Sequence, residues 1–88
     1  MGYTVKEIQP TPNPNALKFV LNREISQGTL SFLKPEDGQD HPVASQLFTI
    51  QGVSSVLFLG DFVTINKQPA ASWKAITPKV EEILQKCE

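Results

Sequence analysis

Residues 53–67 read Val-Ser-Ser-Val-Leu-Phe-Leu-Gly-Asp-Phe-Val-Thr-Ile-Asn-Lys, two β-rich runs parted only by Gly60-Asp61. Such a pair between such runs predicts a hairpin with a two-residue primed turn, which needs φ > 0. The turn sets the register: Leu59 faces Phe62, Phe58 faces Val63, Leu57 faces Thr64 and Val56 faces Ile65. Because side chains alternate along a strand, one face then carries Val56, Phe58, Val63 and Ile65. The opposite face carries Ser55, Leu57, Leu59, Phe62, Thr64 and Asn66. Three of these are large apolar groups, where a solvated face would prefer polar ones.

The same alternation marks three more strands. Residues 3–8 place Tyr3 and Val5 on one side and Thr4, Lys6 and Ile8 on the other, as in an edge strand. Pro10, Pro12 and Pro14 make the next segment a stiff connector, in which Asn13 and Asn15 can fold back onto nearby backbone. Residues 16–21 set Leu17, Phe19 and Leu21 against Ala16, Lys18 and Val20, with the Leu17 side buried. Residues 28–33 form a weaker strand, followed by a solvated loop over 34–40.

Period-3.6 patterns supply two helices. Asp40 is placed to cap the first, Pro42 fits its first turn, Gly52 ends it, and Val43, Leu47 and Ile50 share one side. Ser72 is placed to cap the second, whose stripe is Trp73, Ile76, Val80, Ile83, Leu84 and Cys87. Pro78 inside that stripe predicts an interruption, with one turn from Trp73 and a restart capped by Thr77. The order β-β-β-α-β-β-α predicts an α+β two-layer sandwich: a five-stranded mixed sheet with both helices on one face. The helical crossover into Val53 is what allows a parallel pairing somewhere in it. The outer face bearing Leu57, Leu59 and Phe62, with Val20 and Ile8 beside it, has two readings. It is an open contact surface, or residues 22–39 cover it.

Composition narrows the function classes. Eighty-eight residues make one domain, residues 1–88. No run approaches the ~20 apolar residues of a membrane span. A net charge of −1 with interspersed signs gives no footprint for nucleic acid. One cysteine excludes an intrachain disulfide, and the polar start lacks a signal-peptide core; together they place the chain in the cytoplasm.

Catalytic and metal constellations are missing. The glycines at 2, 28, 38, 52 and 60 stand singly and match no phosphate loop. Cys87 has no second thiol near it and reads as structural. His41 reads as a solvated imidazole beside a helix start, without the oriented partners a base or ligand needs. Glu36, Asp37 and Asp40 around Gly38 lack calcium-loop spacing. Glu81 and Glu82 point in different directions on a helix. No residue is therefore assigned a catalytic, cofactor or metal role, and an enzyme is not indicated. Trp73 reads as a packing residue.

The motifs Thr11-Pro12-Asn13-Pro14-Asn15-Ala16-Leu17-Lys18-Phe19, Gly52-Val53-Ser54-Ser55-Val56 and Asp61-Phe62-Val63-Thr64-Ile65, with Trp73 and Pro78, span nearly the whole chain. In this order and at these distances they resemble the N-terminal domain of Nfu/NifU-type iron–sulfur cluster scaffold proteins, in the small stand-alone bacterial form. The resemblance implies the same β-β-β-α-β-β-α fold. In two-domain members a separate domain holds the cluster with a Cys-x-x-Cys motif, which these residues lack. The resemblance therefore implies a non-enzymatic accessory domain that binds iron–sulfur assembly, carrier or client proteins. It holds no stable cofactor and meets a cluster only through a partner. The expected partner surface is Asn13, Asn15 and Lys18 with Leu57, Leu59 and Phe62. The competing reading is a small-molecule-binding protein or unrecognised enzyme using residues 34–41; a third is homodimerisation through the open sheet face.

Overall fold

A computed structural model describes residues 2–86. Cys87, expected on the apolar stripe of the last helix, lies outside the described residues. The elements are β1 (Val5–Pro10), β2 (Ala16–Leu21), β3 (Ser26–Phe32), a 3-10 turn (Pro35–Gly38), α1 (Pro42–Leu47), β4 (Val53–Gly60), β5 (Phe62–Lys67) and α2 (Trp73–Lys86). The strands form one sheet in the order β1-β2-β5-β4-β3. Helices and sheet make the expected two-layer α+β fold.

The sheet is antiparallel at every pairing rather than mixed. The helical crossover joins β3 to β4, which are themselves antiparallel neighbours, so the helix connects adjacent strands and no parallel pair arises. The longer-range step is β2 to β3. Residues 22–25 cross the end of the β4–β5 hairpin, where Leu21 N–H donates to the Asp61 carbonyl at 2.7 Å and Ile25 N–H to the Gly60 carbonyl at 2.8 Å.

The hairpin register is the one the turn dictates: Leu59 opposite Phe62, Phe58 opposite Val63, Leu57 opposite Thr64 and Val56 opposite Ile65. Gly60 has φ of 58° and no other residue of the turn has positive φ, so only the first turn position needs glycine. Val56, Phe58, Val63 and Ile65 are buried together with Phe19 and Leu21 of β2. Val43, Ala44 and Leu47 of α1 and Ile76, Val80 and Leu84 of α2 close over them as one core. Burying one such phenylalanine contributes about 1.5–3 kcal/mol.

Three helix details depart from the sequence reading. α2 is continuous through Pro78. Pro78 lies on the exposed side of the helix, where a carbonyl that lacks its N–H partner can be hydrated. Ser72 does cap this helix, its hydroxyl accepting from Lys74 N–H at 3.2 Å. α1, however, is capped by His41 and not by Asp40: Nδ1 accepts from Val43 and Ala44 N–H, both at 3.2 Å. α1 also stops at Leu47 with Phe48 as its C-cap, short of the Gly52 expected to end it; Gly52, with φ of 99°, lies in the turn before β4, where a Cβ would stand 2.6 Å from the Ala71 methyl.

Candidate interaction surface

The helices occupy one face of the sheet, so the other must be described strand by strand. Across β2, β5 and β4, cross-strand pairing sets Val20, Phe62 and Leu59 in one row. The adjacent row is Lys18, Thr64, Leu57 and then Ser31 of β3. Lys18 lies over the Phe62 ring, its ammonium 4.2 Å from the centroid. The negative face of the ring attracts the cation. Leu59 is 37% exposed, and Val20, Leu57 and Phe62 are half-buried by one another.

Residues 22–39 do not cover this face. Residues 26–32 are themselves strand β3, at the sheet edge. The 3-10 turn that follows lies with the helices: a Cβ on Gly38 would meet the Ala44 methyl and the Phe48 ring at 3.1 Å. Ile8 does not join the patch either. It pairs with Phe19, whose ring points into the core, because the β1–β2 register shifts between Val5 and Glu7. One extra residue at Lys6 reverses the alternation, so the residue pattern alone assigns Ile8 to the wrong side.

Of the six expected surface residues, Lys18, Leu57, Leu59 and Phe62 come together. Asn13 and Asn15 lie beyond the Ala16–Asn66 end of the sheet, with their side chains engaged internally. Asn13 Oδ1 accepts from Asn15 N–H at 2.9 Å, and Thr11 Oγ1 accepts from Asn13 N–H at 3.2 Å. The turn is then tied to distant elements. Asn15 Oδ1 accepts from the Lys67 ammonium at 3.0 Å, the Asn15 carbonyl accepts from Lys67 N–H at 2.8 Å, and Trp73 Nε1 donates to the Pro14 carbonyl at 3.2 Å. The Thr-Pro-Asn-Pro-Asn motif is thus an architectural clasp joining β2, β5 and α2. Lys67 was missed as its partner because it lies 52 residues away along the chain; Trp73 is half-buried, as a packing residue with one polar handle.

Residues 34–41 form the 3-10 turn and the cap of α1. His41, expected to be solvated, is half-buried with its ring centroid 4.9 Å from Phe58 and 5.3 Å from Phe32. Burial holds its pKa below the usual imidazole value. A cleft of about 410 Å³ opens elsewhere, at the start of α2, between Gly52, Gln68, Ala71, Ser72 and Lys79. None of its lining residues belongs to 34–41. Among the described residues no group of three or more His, Cys, Asp or Glu side chains is placed to hold a metal ion, and no helix is long and apolar enough to cross a membrane.

Fold and surface together define a two-layer α+β domain with one sheet face closed by helices and the other left open. Residues 5–87 match the family described as "Scaffold protein Nfu/NifU N terminal", and the chain belongs to that family. It is 38% identical over 80 residues to the human "NFU1 iron-sulfur cluster scaffold homolog, mitochondrial", covering 89% of this chain and 32% of that protein. It is 35% identical over 77 residues to "Uncharacterized protein YpgR" of Bacillus subtilis (strain 168), covering 86% of this chain and 20% of that one. The chain thus spans about a fifth to a third of the curated relatives it matches. Among solved structures, the NifU-like protein from Saccharomyces cerevisiae superposes with a TM-score of 0.79 at 30% identity, covering 94% of this chain and 77% of that one. SAV1430 from Staphylococcus aureus superposes with a TM-score of 0.76 at 27% identity, covering 91% and 96%.

Proposed function

We propose that this chain is a non-enzymatic interaction domain of iron–sulfur cluster assembly or delivery, which recognises assembly, carrier or client proteins through its open sheet face. The observation that carries the reading is family membership over residues 5–87, shared with relatives named as iron–sulfur cluster scaffold homologs. The open face supports it. Val20, Leu57, Leu59 and Phe62 form one apolar surface with a single cation, Lys18, and an exposed patch of this kind marks a contact site.

In this reading the domain does not hold a cluster itself. Thiolate ligation takes about four cysteines per cluster, and these 88 residues contain one. Asn13 and Asn15 serve the surface indirectly, by holding the end of β2, while Lys18, Leu57, Leu59 and Phe62 touch the partner. The chain works in the cytoplasm.

Two measurements test this. The purified domain is expected to capture a NifU-type scaffold or a carrier protein, and the double variant Leu57→Asp/Phe62→Asp to lose capture with an unchanged circular dichroism spectrum. Capture retained by the variant removes this face from the account; no capture of any assembly protein by the parent removes the function. Anaerobic incubation with iron and sulfide should give no stable cluster absorption, and a stable band would overturn the ligand argument.

A further inference from the structure

His41 is the one histidine of the chain, and its contacts exceed what a helix start requires. Its backbone N–H donates to the Gly38 carbonyl at 3.0 Å and its carbonyl accepts from Ser45 N–H at 2.9 Å. Its Nδ1 accepts from Val43 and Ala44 N–H, and its ring packs on Phe32 of β3 and Phe58 of β4. One residue therefore joins the 3-10 turn, α1 and the β3–β4 edge.

This arrangement needs a neutral ring with its hydrogen on Nε2, since only an unprotonated Nδ1 can accept. A proton on Nδ1 would turn the cap into a third donor facing two donors and put a charge at a half-buried position. Val43 and Ala44 N–H would lose their acceptor. Nothing on the packed strands offsets that charge: β3 (SQGTLSF), β4 (VSSVLFLG) and α1 (PVASQL) contain no titratable side chain. The carboxylates nearby in sequence are Glu36 and Asp37 of the 3-10 turn and Asp40, with Lys34 the flanking cation; Asp37 accepts from Leu33 N–H at 3.2 Å. The β3–β4 register shifts between Ser26 and Leu30, leaving Leu30, Ser31 and Phe32 in continuous regular pairing beside His41.

We propose that His41 is an acid-sensitive latch: the neutral ring closes α1 onto the β3–β4 edge, and protonation of Nδ1 lets residues 34–48 come away while β1, β2, β5 and α2 stay folded. Opening would expose Phe32, Val43 and Phe58, apolar groups that are otherwise buried. Because the folded-state pKa lies below the unfolded value of 6.5, the proton binds the opened or unfolded chain more readily. The latch is therefore fully closed above pH 6.5 and is lost as pH falls through the folded-state value.

Nitrogen NMR of the intact protein at neutral pH should show a bare Nδ1 and a protonated Nε2; the opposite tautomer overturns the latch. On acidification from pH 7 to 5, exchange of the Val43 and Ala44 amides, corrected for intrinsic rates, should lose roughly tenfold protection, the worth of one lost cap. Amides of β2 and β5 should keep theirs. The variant His41→Asn keeps a capping acceptor that does not titrate, and its corrected protection at 43 and 44 should not change over that range. An equal acid response in the variant, or equal loss of protection across β2 and β5, overturns the proposal.

Discussion

The two faces of the β4–β5 hairpin are built from similar residues and meet opposite fates. Phe58 and Phe62 are four sequence positions apart on facing strands. Phe58 is wholly buried under the helices, while Phe62 is half-buried beneath the Lys18 ammonium on the open side. Hydrophobicity does not separate them; alternation about the Gly60 turn does, together with the side on which α1 and α2 settle. Apolar character on the helix side therefore measures stability, and on the open side it is available for contact.

The largest expected effect breaks the comparison outright. Phe58→Ala should destabilise by about 3–5 kcal/mol, from lost burial plus the cavity left behind, whereas Phe62→Ala should cost about 1 kcal/mol or less. Urea denaturation of the two variants reads the difference, and equal losses would mean that the open face is packed as tightly as the core. A smaller effect belongs to the clasp at the other end of the sheet. Trp73→Phe removes the Nε1 donor from the Pro14 carbonyl while keeping most of the ring, and should cost about 0.5–1.5 kcal/mol with partner capture retained. Smallest is Lys18→Gln, which loses the ammonium over Phe62 and should lower stability by about 0.5 kcal/mol. A change in partner capture larger than this stability change would place Lys18 in the contact itself.

Some of this architecture could be read directly. The Gly60-Asp61 pair specified four cross-strand pairs, and the buried helix stripe of Ile76, Val80 and Leu84 follows from its spacing. Local rules failed where a distant group intervened. Ile8 changed sides because of one bulge residue, a feature with no composition signal at Lys6. His41 replaced Asp40 as the cap because Phe32 and Phe58, brought in by two strands, hold the imidazole where its Nδ1 meets the helix amides. Pro78 passed as an interruption because its tolerance depends on which side of α2 faces water.

The Thr-Pro-Asn-Pro-Asn segment shows the same division. The sequence marks Thr11 to Asn15 as a motif whose asparagines are expected on the partner surface. In the folded chain they are engaged with backbone nearby and with Lys67, while Trp73 ties Pro14 to α2. The sequence by itself determined the elements, the hairpin register and which residues are apolar, because these depend on neighbours within a few positions. Strand order, the uniformly antiparallel sheet, the cap on α1 and the openness of the Leu57, Leu59 and Phe62 face were decided only by tertiary structure. Each depends on a meeting of segments far apart in the chain, and the energies that select such meetings belong to the packed layers rather than to any one stretch.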